Sequence, residues 1–207
     1  MMSQKKTGLL KTVFLMVFAL AVFIIIADPP NDRNEMQQYY DQLSRQSSSN
    51  DDHDTYFPPS PLTLEQANID RVYVDKSSQT LYLLQDYKVV KSYHIALGDA
   101  PKGHKQQEGD ERTPEGEYIL DYKNENSIAY RSIHVSYPNE ADIASAEAKG
   151  VSPGGAIMIH GQMNGYEYLA GVMQKRNWTD GCMAVTNAEM DEIMSAVKVG
   201  TPIEIVW

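Results

Sequence analysis

Cys182 is the only cysteine of the 207-residue sequence and sits in the text NWTDGCMAV, directly after Gly181. His160 closes the apolar text IMIH and is followed by Gly161. A free thiol, with a pKa of about 8.5, is a poor nucleophile at neutral pH unless a base or an imidazolium stands close by, and His160 is the best candidate for that partner. Gly181 allows backbone conformations closed to other residues and lets a carbonyl approach the main chain, where N–H groups can line an oxyanion hole. The two texts together suit acyl transfer through a thioester. On spacing alone, a satisfied strand-end histidine and a cysteine packed in a core explain the same residues equally well.

One cysteine excludes a disulfide framework and any zinc site with two thiolates. A site built from His134, His160 and Cys182 lacks the short-spaced ligand pair that metal motifs carry, so no metal and no cofactor is expected. His53, His94 and His104 read as a linker, a strand and a loop residue; His134, in RSIHVSYP, is the one further histidine taken as a neighbour of the site.

Strands and helices must bring these residues together. From residue 64 the sequence alternates, with Val72, Val74, Leu81, Leu83, Val89, Tyr93 and Ile95 separated by the polar breaks Lys-Ser-Ser and Gln-Asp. Such a pattern predicts a β-meander. GEYILDYKN and RSIHVSYP continue it, GAIMIHG reads as a buried strand ending at His160, and TPIEIVW is the final strand. YEYLAGVMQKR and NAEMDEIMSAVKVG have helical spacing, the second with Asn187 as its expected N-cap and Gly200 past its end. The fold class expected is mainly β, of α+β type, with two short helices.

Ahead of this unit, lysines 5, 6 and 11 precede an apolar run ending at Ala27. The run approaches the ~20 residues that span a bilayer and exceeds the apolar region usual in a cleaved signal. Residues 1–27 are therefore read as a signal anchor in the inner membrane, with a signal peptide cleaved at the small residue Ala27 as the alternative; either way the rest of the chain lies outside the cytoplasm. Residues 28–63, rich in Asp, Asn, Gln, Ser and Pro, form a linker, and 64–207 form the catalytic unit. A net charge of −10 with no basic stripe downstream of the leader excludes nucleic acid as a partner.

IMIHG followed by WTDGCMAVTNAEMDEI resembles the signature of the L,D-transpeptidases (YkuD type), a His-Gly and, after a gap, Ser/Thr-His-Gly-Cys. KSSQTLYLLQDYKVVKSYHIALG and the Arg-Thr-Pro-Glu-Gly loop at Arg112–Gly116 extend the resemblance over roughly residues 68–207. The resemblance implies a β-sandwich, Cys182 as nucleophile, His160 as proton acceptor and donor, the Gly161 carbonyl as orienter of the imidazole, and the Gly181 N–H as an oxyanion donor. It implies peptidoglycan stem peptides as substrate, in the bacterial cell envelope. Arg112, His134 and Trp178 are the expected substrate contacts, with Tyr166 and Tyr168 beside Trp178 as less specific aromatics.

Two positions depart from the pattern. Asp180 replaces the usual His before Gly-Cys, and its charge should raise the thiol pKa; Ala184 replaces an Arg found in many members. Thr-Asp-Gly-Cys sequences resemble a branch whose members act as hydrolases or amidases, releasing a peptide or a peptidoglycan-linked protein. Transferase, hydrolase and a noncatalytic peptidoglycan-binding module are the readings carried forward.

Overall fold

The computed structural model describes residues 57–207. The expected membrane segment (1–27) and the linker as far as residue 56 lie outside the described residues. Among the described residues no helix is long and apolar enough to cross a membrane.

Alternation builds the strands as expected. In β1 (Arg71–Asp75) and β2 (Thr80–Gln85), Val72, Val74, Leu81 and Leu83 are all fully buried. The polar break between them is a turn in which the Asp75 carboxylate accepts from the N–H and hydroxyl of both Ser77 and Ser78. β3 (Lys88–His94) completes the meander. Pro58–Ser60, within the stretch whose composition reads as linker, lie along it: Val89 N donates to Pro58 O at 2.9 Å and Ser60 N to Val89 O at 2.7 Å.

β4 (Gly116–Ser127), β5 (Tyr130–Val135), β6 (Met158–His160), β7 (Met183–Ala184) and β8 (Thr201–Val206) follow, giving one sheet in the order β3-β2-β1-β8-β4-β5-β6-β7. The expected two-sheet sandwich is thus one continuous sheet whose ends meet. Ala96, just past β3, exchanges both backbone hydrogen bonds with Ala184 of β7, at 2.9 and 2.8 Å. A long twisted sheet curls on itself, and side chains from both halves, from Val74 and Leu83 to Ile159 and Met183, then share one core.

Among the described residues three α-helices accompany the sheet: α1 (Glu140–Ala148), α2 (Ala170–Met173, preceded by a 3₁₀ turn over Glu167–Leu169) and α3 (Asn187–Ala196). The additional helix, α1, has no apolar stripe to reveal it; its buried residues are Asp142 and Ala146, and an Asn139–Asp142 capping box starts it. α3 is capped by Thr186, not Asn187. Thr186 Oγ1 accepts from Glu189 N while the Glu189 carboxylate accepts from Thr186 N, and Asn187 is diverted to the site.

Lys76 ties the first strands to the 99–115 loop. Its fully buried ammonium donates to Gly103 O at 2.8 Å, Thr113 O at 2.9 Å and Glu115 Oε1 at 3.0 Å. Burial lowers its pKa, against the raising effect of Glu115. Removing one partner of such a group leaves the others desolvated without compensation. Lys76→Met is expected to cost about 3 kcal/mol of unfolding free energy, read from urea midpoints; an unchanged midpoint would show that the three acceptors find other donors.

Candidate active site

His160 ends β6 because the chain leaves the sheet at Gly161. Gly161 N donates to Arg131 O at 3.2 Å, and Gln162 N to Asn187 Oδ1 at 2.8 Å. A Cβ at Gly161 would fall 2.7 Å from Asn187 Oδ1 and 2.9 Å from Tyr130 Cβ, so glycine alone fits this approach. The turn brings Gly161 O to 2.7 Å from His160 Nδ1. With Nδ1–H donating to that carbonyl, Nε2 is left to accept a proton. The imidazole is 7% exposed; burial lowers its pKa below 6.5, and the Gly161 carbonyl offsets part of that.

Cys182 stands directly before β7, which pairs in parallel with β6, Ile159 with Met183 and His160 with Ala184. The thiol, half-buried at the mouth of β7, lies beside the start of β6, with Sγ donating to Ala156 O at 3.5 Å. Ala156 holds a left-handed φ of 54°, a conformation costly for a residue with a Cβ and concentrated at functional sites. Burial raises the thiol pKa, the Met158 N–H lowers it, Asp180 raises it and Lys105 lowers it. The Asp180 effect has the sign that its sequence position suggested.

The turn before Cys182 is held by Thr179, whose Oγ1 donates to Cys182 O at 2.7 Å and accepts from Gly181 N at 3.3 Å. Gly181, at φ 119°, packs on the Arg112 carbonyl; a Cβ there would lie 2.5 Å from that oxygen. Arg112 thus meets the site through its backbone, while its guanidinium lies toward Gly103. Trp178 meets the His160 ring edge to face at 5.5 Å. His134 lies on β5 opposite Met158, its Nδ1 2.7 Å from Asp121 Oδ1. Tyr166 and Tyr168 are 53% and 79% exposed.

Ser132, the strand partner of His160, and Lys105, whose charge acts on the thiol, carry no sequence signal. Among the described residues, Thr113 Oγ1, Ser132 Oγ, Gln162 Oε1 and Trp178 Nε1 are buried without a hydrogen-bond partner. Ser132 is the strand partner of His160, Gln162 follows Gly161, Trp178 touches the imidazole, and Thr113 follows Arg112. The buried Lys105 pairs with Asp110 at 2.9 Å. His94 and His104 serve the framework, at Gln174 O and at Glu115 N with Asp142. Among the described residues no group of three His, Cys, Asp or Glu could hold a metal ion.

The profile of the L,D-transpeptidase catalytic domain (YkuD) matches residues 69–205. A candidate L,D-transpeptidase of Escherichia coli K12, YafK, is 29% identical over 132 residues, covering 61% of this chain and 46% of its own length. The chain therefore spans about half the length of the curated relatives it matches. Among solved structures, the helical cell shape determining protein Pgp2 from Campylobacter jejuni is similar at 24% identity and a TM-score of 0.49, over 66% of this chain and 47% of that one. An L,D-transpeptidase from Xylanimonas cellulosilytica is similar at 16% identity and a TM-score of 0.45, over 80% and 68%.

The charges around the thiol generate one prediction. Asp180→Asn removes a carboxylate that raises the thiol pKa, so Cys182 should alkylate with iodoacetamide faster at neutral pH, and its pH–rate curve should shift to lower pH. A curve that stays in place or moves upward would show that Asp180 does not act on the thiol.

Proposed function

Because the chain belongs to the L,D-transpeptidase catalytic domain family, we propose that it is a cysteine acyltransferase acting on peptidoglycan stem peptides outside the cytoplasmic membrane, held there by residues 1–27. The observation that supports this best is the β6–β7 pairing, which puts half-buried Cys182, directly before β7, next to the strand that ends at His160, whose Nδ1 is already engaged. In this reading both groups rest neutral. As the Cys182 sulfur attacks the carbonyl of the third stem residue, His160 Nε2 takes the thiol proton. The Cys182 and Gly181 N–H groups receive the developing oxyanion, the latter giving up its long contact to Thr179. The C–N bond then breaks, the imidazolium protonates the departing amine of the terminal D-amino acid, and a thioester remains. An acceptor amine closes the cycle, losing its proton to His160 as the C–S bond breaks and the thiol reforms.

Hydrolysis of the same thioester, with water in place of the amine, is the second reading, and one position favours it. Ala184 is fully buried, its carbonyl shared between Ala96 N and Gln174 Nε2. The cation that many members offer to a substrate carboxylate is missing there. A leaving group other than a free D-amino acid, such as a peptide or an attached protein, needs no such cation.

Incubating residues 28–207 with a disaccharide-tetrapeptide should give a mass adduct that Cys182→Ala abolishes. Crosslinked dimer identifies transfer, shortened peptide identifies hydrolysis, and a folded protein with neither adduct nor product overturns the enzyme reading in favour of a binding module. His160→Gln should slow acylation by about 10²–10⁴-fold. The acid limb of kcat/KM should lie below pH 6.5, since burial holds the imidazole neutral to lower pH than in water; a limb above that value would place the essential base elsewhere.

A further inference from the structure

Two rows of side chains cross β4–β7 on the face turned away from the core. Asn124, Ser132, His160 and Ala184 are paired in register as one row, with Ser132, His160 and Ala184 buried. Beside it, Tyr122, His134 and Met158 are likewise paired in register. This second row is open, with His134 and Met158 half-buried and Tyr122 46% exposed. Its inner end is the active thiol, since Cys182 precedes Met183 as Met158 precedes Ile159 in the β6–β7 pairing.

Tyr122 reaches this face through a break in the strand. Leu120 and Val135 are paired and buried in the core, and strict alternation would send residue 122 inward after Leu120. The register shift between Leu120 and Tyr122 places an extra residue, Asp121, in β4 and re-aims Tyr122 outward. There its ring stacks on His134 at 4.6 Å and 15°. The bulged residue supplies the carboxylate that accepts from His134 Nδ1 at 2.7 Å. Bulge, stack and hydrogen bond together make a rigid, part-exposed aromatic platform on the same face as the catalytic pair.

The geometry points to a glycan subsite, in which the Tyr122–His134 platform receives a sugar ring of the strand that carries the stem peptide. The inference rests on the acyl-transfer reading of Cys182. Neighbouring strands lie about 4.8 Å apart, so β5 and β4 stand roughly 10 and 14 Å from β7. An extended peptide advances about 3.4 Å per residue. With the carbonyl of the third stem residue at the thiol, the rest of the stem runs over Met158 and brings its sugar to Tyr122. A pyranose presents a C–H face to an aromatic ring and hydroxyls at its rim, and the Asp121 carboxylate flanks the platform to accept from them.

The test is calorimetric titration of Cys182→Ala, which binds without turnover, with a disaccharide-tetrapeptide and with the same tetrapeptide lacking sugar. The disaccharide form should bind about three- to tenfold tighter. Adding Tyr122→Ala should remove that advantage and leave the bare tetrapeptide unchanged, while Tyr122→Phe should keep it. Equal or unmeasurable binding of the two forms, or an advantage that survives Tyr122→Ala, overturns the subsite. Failure of the acyl-transfer reading shows separately, as the absence of a Cys182 adduct in the wild-type protein.

Discussion

Everything at the site depends on the register between two very short strands. β6 and β7 share the pairs Ile159–Met183 and His160–Ala184, and a slip of one residue would turn every side chain of one strand to the opposite face. The few hydrogen bonds of this pairing contribute about 1 kcal/mol each. Ile159 and Met183, both fully buried, contribute about 1.5–3 kcal/mol each. Packing therefore decides the register, and the bridge from Ala96 holds β7 from its other side. The hydrophobic core places the thiol by fixing the residue next to it.

A second constraint is how closely backbone approaches backbone. Gly181 rests on the Arg112 carbonyl, Gly161 on Asn187 and Tyr130, and a Cβ at Gly98 would lie 2.1 Å from Glu111 O. The approaches at Gly181 and Gly98 bring the 99–115 loop, pinned by Lys76, against the turn before Cys182. The same loop carries the buried Lys105 and its partner Asp110, which also accepts from the backbone N–H of Gln106, Gln107 and Arg112. A cation fixed in this way lowers the thiol pKa without being a ligand, against the exposed Asp180 that raises it. Burial raises the thiol pKa and lowers that of the imidazole, so for both groups it favours the neutral form.

What the sequence determined by itself is the set of elements and the two chemical texts. Alternation at Val72, Val74, Leu81 and Leu83 follows from burial on one face of a sheet, and that pattern is local. Cys182 and His160 stand out because thiol, imidazole and their glycines are few and chemically distinct. Tertiary structure decided whatever depends on partners far along the chain. The sheet is continuous because Ala96 meets Ala184. α1 was hidden because its buried side, Asp142 and Ala146, bonds and packs without an apolar stripe. Thr186 rather than Asn187 caps α3 because Asn187 is taken by Gln162 across the site. Ser132, Lys105 and Tyr122 were equally silent in the text. Their surroundings come from strand register, loop closure and one bulge, none of which a residue's own neighbours in sequence specify.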